Sequence, residues 1–361
     1  DFGIGENDDM ATECVRSAMK MEIDKLENRG DADNGIQEFK DAAADFMRRQ
    51  FGVKLDPATE INHCIGSKPA LAMLPAAFIN PGDITLMTVP GYPVAGTHTK
   101  YYGGQVFNMP LYEENGFLPD LDAVPRDVCK KAKLMVINYP NSPTGALADE
   151  AFYKKVIDFA KTNNVVVVQD ATHILLTYGR KPLSFLQVDG AVDVGVEVHS
   201  LSKGFDMIGW RIGFVAGHER IVRAFADIKD NSDSGQFIAI QKAAIVALAD
   251  TSIPVAIRAK YERRLQKLVA ALRELGFKTE IPGGSYFLYV PSPKGVAGGT
   301  TFETAEDASQ FLIRERSICT VPWDEAGPYL RFSVTYQAPN ETDEDELMDA
   351  LRSRLADDKF I

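Results

Sequence analysis

The sequence predicts an α/β fold in which helices cover both faces of a mostly parallel sheet of the seven-stranded type. Short runs that are apolar throughout and rich in β-branched residues lie at 61–65, 84–88, 134–139, 165–170 and 196–200. Segments with helical periodicity separate these runs, one from about residue 69 and one over about 149–161. Strands that are apolar on both faces and alternate with amphipathic helices are typical of such a sheet.

A second, smaller domain is predicted by a change of pattern after about residue 251. A long charged helix at 255–275 comes first, and the segments that follow it have the patterns of short strands (277–281, 286–290, 318–321, 330–335) and of helices (from about 304 and after 340). A chain of 361 residues is also long enough for two domains. We therefore predict a large α/β domain over residues 30–252 and a small α+β domain made of residues 1–29 and 253–361.

Composition and charge narrow the class of protein. The formal net charge is −12, and no block of Lys and Arg is long enough to follow a phosphate backbone, which disfavours nucleic acid and anionic membranes as partners. The longest apolar stretch, 69–79, is too short to cross a bilayer, and the first residues have a strand-like pattern rather than that of a signal peptide. The expectation is a cytoplasmic enzyme with small-molecule substrates.

The cysteines and most histidines give no sign of a metal or disulfide site. Cys14, Cys64, Cys129 and Cys319 are scattered, without a Cys-x-x-Cys pair and without a histidine at ligand spacing. Neither zinc nor a disulfide framework is therefore predicted.

Polar residues follow several of the predicted strands at their carboxyl ends. Asp170 ends the strand at 165–170, Ser200 ends the strand at 196–200, and Gly-Ser-Lys at 66–68 follows the strand at 61–65. Ligands of open α/β sheets bind at the carboxyl ends of the strands. We expect these groups to share one site.

The run Ser-Leu-Ser-Lys at 200–203, with Gly-Trp-Arg at 209–211, indicates what that site binds. The amine of Lys203 can bond covalently to an aldehyde, and Asp170 can keep a pyridine nitrogen protonated. The guanidinium of Arg211 and the hydroxyls of Ser200 and Ser202 suit a phosphate dianion. This combination predicts pyridoxal 5'-phosphate as the cofactor.

Gly-Ser-Lys at 66–68 joins a strand to a helix. Its backbone N–H groups, including those of Ser67 and Lys68, can therefore point at an anion at the positive end of the helix dipole. Such a turn alone is as often a plain connection. Together with the donors above, it predicts a phosphate cradle.

Two further side chains have both a structural and a functional interpretation. Tyr92, in Pro-Gly-Tyr-Pro at 90–93, is either a core tyrosine or a ring that stacks on a flat heterocycle. Arg331 lies in an otherwise apolar strand, where an unpaired guanidinium is costly. Either a structural acid pairs with it, or it is open to the α-carboxylate of a substrate.

Taken together, these motifs resemble the fold-type I pyridoxal-phosphate enzymes of the class I/II aminotransferase family over nearly the whole chain. The strings that carry the resemblance are Asn-Tyr-Pro-Asn-Ser-Pro-Thr-Gly at 138–145, Ser-Leu-Ser-Lys and Gly-Trp-Arg, and the segments 115–121 and 229–237. They are most similar to the LL-diaminopimelate branch of that family.

The resemblance implies a role for each matching position. Lys203 would carry the cofactor covalently, Asp170 would pair with its pyridine nitrogen, and Tyr92 would stack on its ring. Arg331 would bind the substrate α-carboxylate. Phosphate binding is implied for Ser67, Lys68, Ser200, Ser202 and Arg211, and further substrate contacts for Gly5 and Asn141.

The sequence departs from the family pattern at positions around the cofactor's phenolic oxygen. Ser142 stands where the family usually has asparagine, and His173 stands where it usually has tyrosine. Both family residues bond that oxygen and help to set the pKa of the cofactor-bound nitrogen. Ser142 and His173 either replace these donors through a hydroxyl and a ring N–H, or they change that pKa. Neutral drift is the remaining alternative.

A third departure concerns the subunit partner. Members of the family are homodimers with shared active sites, and Gly30 stands where a tyrosine of the partner usually contacts the phosphate. Residues 30–34 and 234–237 would therefore reach the site of the other subunit. In the diaminopimelate branch an acid near this position binds the distal ammonium group, and we assign that role to Asp33.

The reaction implied is a ping-pong transamination between an amino acid and a 2-keto acid, with LL-diaminopimelate or glutamate as the donor. A β-lyase, a racemase, or an aminotransferase for aspartate or alanine would use the same groups. An effector domain of a transcription regulator would need an attached basic DNA-binding domain, which the sequence lacks. A non-enzyme is disfavoured because the cofactor-binding residues are all in place.

Overall fold

The computed structural model describes residues 1–361. The helices are α1 (Glu13–Ile23), α2 (Gln37–Phe51), α3 (Ser67–Phe78), α4 (Val94–Tyr101), α5 (Arg126–Lys131), α6 (Glu150–Asn163), α7 (Leu201–Gly204), α8 (Glu219–Asp230), α9 (Ile238–Ala249), α10 (Ser252–Glu274), α11 (Ala305–Arg316) and α12 (Glu341–Leu355). The strands are β1 (Asp31–Ala32), β2 (Ile61–Cys64), β3 (Ile84–Val89), β4 (Gln105–Pro110), β5 (Ala132–Asn138), β6 (Val166–Asp170), β7 (Gly195–Ser200), β8 (Gly213–Gly217), β9 (Gln236–Phe237), β10 (Phe287–Pro291), β11 (Val321–Trp323) and β12 (Tyr329–Ser333).

The large sheet has seven strands in the order β2-β8-β7-β6-β5-β3-β4. Only β8 runs antiparallel to its neighbours, so the predicted α/β fold is confirmed. Every residue of β7 is buried, as expected for a strand covered on both faces. The apolar runs in the sequence reflect this double burial.

The topology brings the predicted site residues to one edge of the sheet. Strands β2, β5, β6 and β7 run in the same direction, and they end at Cys64, Asn138, Asp170 and Ser200. The segments that follow these strands therefore start side by side.

The small domain is built on an antiparallel sheet with the order β10-β12-β11. The first residues of the chain extend it, because the backbone N–H of Phe2 donates to the carbonyl of Cys319 and the N–H of Ser333 donates to the carbonyl of Phe2. Helix α1 also lies in the range predicted for the small domain, but it packs against α9, which lies in the range predicted for the large domain. The division of the chain at residues 29 and 252 stays a prediction.

Some local predictions were wrong. Residues 277–281 form no strand, because the backbone N–H of Phe277 donates to Leu272 at the end of α10 and Ile281 is 45% exposed. The strand predicted at 318–321 begins only at Val321, since Ile318 still donates to Leu312 of α11. Strands β4 and β8 were not predicted; β4 is half exposed, and β8 has few side chains between its glycines.

No helix taken singly has the length and apolar composition needed to cross a membrane. The pair α9 and α10 meets that test jointly, on length and composition alone, with a bend of 75° between the two helices.

Candidate active site

The carboxyl ends of β2, β5, β6 and β7 open into a cleft of about 630 Å³. It brings together most residues predicted for the site, namely Gly5, Ser67, Lys68, Tyr92, Ser142, Asp170, His173, Ser200, Ser202, Lys203, Arg211 and Arg331. The lining is completed by Glu6, Asn138, Thr172, Ile208, Gly209, Tyr286 and Phe287. Both sheets and the N-terminal segment therefore contribute to one cavity.

Asp170 is a buried carboxylate without a cation. It ends β6, is 5% exposed, and accepts a hydrogen bond from the backbone N–H of Thr172 at 3.0 Å. No Lys, Arg or His side chain forms an ion pair with it, and burial raises the pKa of Asp170. An uncompensated buried carboxylate is costly, so this group suits a ligand that brings its own positive charge.

Lys203 lies in the short helix α7, directly after β7. Its Nζ donates to the carbonyl of Gly5 at 2.8 Å, and the Tyr286 hydroxyl donates to the same oxygen at 2.6 Å. Burial lowers the pKa of Lys203 to about 8, and the positive charges of Arg211 and Arg331 act in the same direction. A larger neutral fraction near neutral pH makes this amine a better nucleophile.

The N-terminus of α3 forms an anion-binding end of the cleft. Gly66 precedes the helix and offers no side chain to its free N–H groups. A Cβ at Gly66, where φ is +80°, would lie 2.5 Å from Nη2 of Arg211, so glycine is needed for this close approach. Hydroxyls and an amine complete the set of donors, which comprises Ser67, Lys68, Ser200 and Ser202.

Hydrogen bonds to neighbouring backbone and side-chain groups fix the position of Arg211. Its Nη1 donates to the carbonyl of Ile208 at 2.8 Å, and its backbone is in the left-handed region with φ of 55°. The Gln236 amide donates to the carbonyls of Trp210 at 3.0 Å and of Arg211 at 2.6 Å. These bonds fix a guanidinium that has no acid partner beside the helix terminus.

Arg331 also lacks an acid partner, which favours the second of its two interpretations. It lies in β12, its Nη2 donates to the carbonyl of Gly3 at 2.7 Å, and its guanidinium stacks on the Phe287 ring at 4.1 Å. Its Nε is buried without a hydrogen-bond partner. No structural acid satisfies it, so this arginine is open to a bidentate carboxylate.

Ser142 and His173 occupy the side of the cleft near Asp170. The backbone N–H of Ser142 donates to Oδ1 of Asn138 at 2.7 Å, and the Ser142 hydroxyl has no protein partner. His173 is 6% exposed, and burial, together with the charges of Lys203 and Arg331, lowers its pKa to about 3. The imidazole is therefore neutral across the physiological range.

Comparisons with known proteins agree with this geometry. The sequence profile of the aminotransferase class I and II family matches residues 1–351. The chain belongs to this family. Over 342 residues it is 57% identical to LL-diaminopimelate aminotransferase from Methanocaldococcus jannaschii. The aligned region covers 94% of this chain and 82% of that relative.

A second relative and a solved structure agree with this assignment. The chain is 52% identical over 367 residues to LL-diaminopimelate aminotransferase from Methanococcus maripaludis, with 100% of this chain and 88% of that relative covered. The structure of apo-BacF from Bacillus subtilis superposes with a TM-score of 0.91 at 33% identity, covering 98% of this chain and 89% of BacF. The predicted fold-type I aminotransferase fold is confirmed.

As a class I and II aminotransferase, the chain is an enzyme that uses pyridoxal 5'-phosphate, which confirms the predicted cofactor. The residues present fit this group. Buried and unpaired, Asp170 suits a protonated pyridine nitrogen, and the donors around Gly66 and Arg211 suit the phosphate. Lys203, with its lowered pKa, suits the aldehyde.

Two predicted substrate contacts lie outside the cleft. Asn141 is fully buried within its turn, where Oδ1 accepts from the backbone N–H and the hydroxyl of Thr144 at 3.1 and 2.8 Å. Its carboxamide oxygen thus holds the turn, and it is Asn138 that lines the cleft. Asp33 follows the ribbon of β1 and β9 and does not reach the cleft of its own chain.

Several lining residues were not predicted. Tyr286 and Phe287 lie at the start of β10, where aromatic residues also fit a core strand, so their pattern gave no signal. Glu6 and Thr172 do carry a signal, because each directly follows or lies within two residues of a predicted site residue. Proximity to Gly5 and Asp170 could have identified them.

Proposed function

We propose that this aminotransferase takes the amino group of LL-diaminopimelate and transfers it to a 2-keto acid such as 2-oxoglutarate. The observation that carries the proposal is the 57% and 52% identity to relatives that bear this activity in their names. The unpaired guanidinium of Arg331 supports it, since any amino acid donor presents an α-carboxylate.

The chemistry is divided between the cofactor and the side chains of the cleft. Pyridoxal 5'-phosphate, when bound, supplies an electron sink that stabilises negative charge at the substrate Cα. Lys203 takes the proton from Cα and later returns a proton, acting as general base and then acid. Asp170 holds a proton on the pyridine nitrogen, and Arg331 orients the substrate through its α-carboxylate. Ping-pong kinetics follow from this order.

The distal ammonium group of LL-diaminopimelate requires an acid. Among the residues that line the cleft, only Asp170 and Glu6 carry carboxylates, and Glu6 is exposed and has no ion pair. The partner's copy of Asp33 is the acid that the family resemblance suggests. Glu6 of the same chain is the second candidate, and the two are separable by mutation.

A homodimer with shared sites is part of the proposal. It is supported by the position of Asp33 outside its own cleft and by large apolar side chains that the single chain leaves exposed, which include Met10 (73%), Met21 (63%), Leu26 (76%) and Tyr101 (72%). A cytoplasmic location stays a prediction from composition.

The donor is tested by the absorbance of the cofactor in the purified enzyme. LL-diaminopimelate, glutamate, aspartate and alanine are added in turn without any keto acid. LL-diaminopimelate is expected to convert the cofactor to its amine form at the lowest concentration. Conversion by alanine or aspartate alone would contradict the proposed donor but not the transamination, whereas release of ammonia from a single substrate would indicate a lyase.

The two acids are separated with a matched pair of donors, LL-diaminopimelate and 2-aminopimelate, which lacks the distal amine. If Glu6 binds the ammonium group, E6Q raises KM for LL-diaminopimelate about 10- to 100-fold, the value of one charge-assisted hydrogen bond. KM for 2-aminopimelate stays unchanged. The same result for D33N in place of E6Q would assign the role to the partner's acid.

Mixed dimers test whether the site is shared. A chain with K203A and a chain with D33N are each expected to be weak on LL-diaminopimelate. If Asp33 acts across the interface, a hybrid dimer contains one site with both residues intact, and mixing restores activity. Failure to restore activity in dimers shown to be hybrid would place Asp33 and Lys203 in the same site, or remove Asp33 from the mechanism.

A further inference from the structure

Ser285 and His173 form a buried pair in the wall of the cleft. Ser285 is fully buried ahead of β10, and its Oγ lies 3.2 Å from Nδ1 of His173. Its backbone N–H donates to the carbonyl of Leu176 at 2.8 Å, and its carbonyl accepts from the Tyr178 hydroxyl at 2.7 Å. The backbone therefore fixes the hydroxyl against one edge of the imidazole.

The hydrogen-bonding requirement of this hydroxyl determines where the imidazole proton lies. Nδ1 of His173 is the only acceptor that the Ser285 hydroxyl contacts. If Nδ1 carried the proton, the hydroxyl hydrogen would be buried without an acceptor, an arrangement that folded proteins avoid. Ser285 therefore donates to Nδ1. Since the ring is neutral, its single proton lies on Nε2.

We propose that Ser285 is a positioning residue that fixes His173 as a neutral Nε2–H donor to the phenolic oxygen of the cofactor. Nε2 has no partner in the protein, and His173 lines the cleft together with Asp170 and Lys203. The rings of Tyr286 and Phe287 pack against the imidazole at centroid distances of 5.2 and 5.8 Å. The tautomer and the ring orientation are thus both constrained.

The bond from Ser285 accounts for a histidine at the position where the family has tyrosine. A tyrosine hydroxyl can rotate to donate, but a neutral imidazole donates only from the nitrogen that is protonated. Without Ser285, both tautomers would be populated and part of the molecules would present a lone pair to an electron-rich oxygen. The serine removes this unfavourable state.

The tautomer is measured by ¹⁵N NMR of imidazole-labelled full chain, before and after addition of the cofactor, with H173Q to assign the His173 signals. In the wild type we expect a protonated Nε2 and an unprotonated Nδ1. S285G is the main variant, because φ of +67° at this position suits glycine. In S285G the ¹⁵N chemical shifts of Nδ1 and Nε2 of His173 should move towards each other as the two tautomers mix. S309A is the matched control, because Ser309 is 1% exposed and contacts Thr320 instead.

A second measurement follows the absorbance of the cofactor bound to Lys203 as a function of pH. An N–H donor on the phenolic oxygen competes with the proton on the neighbouring nitrogen, so S285G should raise the midpoint by about half to one pH unit, roughly one hydrogen bond. S309A should leave it unchanged. A protonated Nδ1 in the wild type, or wild-type tautomer and midpoint in S285G, would overturn the proposal. Neither readout depends on the identity of the amino donor.

Discussion

Arg264 is a fully buried arginine and Arg331 is a half-buried one, and their surroundings differ. Arg264 is fully buried beneath the small sheet, where it bonds Glu344 at 2.8 Å and Asp8 at 3.0 Å. It also donates to the carbonyls of Val334, Tyr336 and Ala338. Arg331, in the cleft, has one backbone acceptor and no acid.

The carboxylates beneath the small sheet and in the cleft differ in the same way. Glu344 accepts from Arg263, Arg264 and Lys267, whereas Asp170 accepts from the backbone N–H of Thr172 and forms no ion pair. Buried charges that are fully paired hold the fold together, and removal of one partner leaves the other uncompensated. Unpaired ones, collected in a cleft, mark the place where a ligand completes the pairing.

Substitution of Lys203 and of Lys267 should give the largest expected difference, which is a difference in kcat. K203A should lower kcat by about 10³-fold or more, because it removes both the covalent anchor and the group that moves the proton. K267A, which removes an ion pair to Glu344 and Asp345, should keep wild-type kcat. Steady-state kinetics with a saturating donor measure both, and substantial activity in K203A would contradict the assignment of Lys203.

Substitution of Arg264 should mainly lower stability, whereas substitution of Arg331 should mainly weaken substrate binding. R264A is expected to lower the free energy of unfolding by about 3–5 kcal/mol, since it removes a fully buried guanidinium that bonds Glu344, Asp8 and three backbone carbonyls. R331A should lower it by only about 1 kcal/mol, the value of its single hydrogen bond. Instead, R331A should raise KM for the amino acid about 100-fold. Urea unfolding and kinetics together measure the contrast, and a large loss of stability in R331A would indicate a structural role.

The two carboxylates should differ in how stability depends on pH. Burial raises the pKa of Glu344, but hydrogen bonds from Arg263, Arg264 and Lys267 outweigh it and hold that pKa to about 2, below the ordinary 4.5. Its stabilisation is therefore present above about pH 5 and is lost as the pH falls towards 2. E344Q should remove that acid dependence.

The ionised form of Asp170 should affect stability in the opposite direction to that of Glu344. Burial raises the pKa of Asp170, so in the cofactor-free chain its ionised form destabilises the fold above that pKa. D170N should therefore stabilise the cofactor-free chain at neutral pH while it abolishes most activity. Urea unfolding at a series of pH values tests both variants; a loss of stability in D170N would mean that Asp170 has a structural partner.

The rate of cofactor capture should depend on pH through Lys203. Only neutral Lys203 attacks an aldehyde, and its pKa is lowered to about 8. The rate at which the cofactor-free chain captures pyridoxal 5'-phosphate should rise about tenfold per pH unit below pH 8 and level off above it. Stopped-flow absorbance measures this rate, and a rise that continues towards pH 10 would show that burial does not lower the pKa.

The parts of the site that were predictable are those whose signal is local. The residues at 66–68, 170 and 200–203 follow apolar strands directly, so strand ends and residue types together located them. Tyr286 and Phe287 could not be found in this way, because an aromatic residue at the start of an apolar strand has the same pattern whether it faces the core or a cleft. Asn141 and Asn138 lie in one motif, and only the folded turn shows which amide faces inward.

Fold predictions failed where burial and periodicity disagree. Residues 277–281 contain apolar side chains, but Phe277 closes the end of α10 and the rest pair with no strand. Strand β8 begins and ends with glycine, so its short apolar centre looks like a loop, although every residue in it is buried. Tertiary pairing with β2 and β7 decides its structure.

The carbonyl of Gly5 accepts from both Lys203 and Tyr286, and it belongs to a segment whose earlier residue Phe2 pairs with the small sheet. A single oxygen thus connects the charge state of the catalytic amine to the placement of a domain. When the amine loses its proton or forms a covalent bond, the attraction on that oxygen weakens. By thermodynamic reciprocity, any displacement of the segment must in turn shift the protonation equilibrium of the amine.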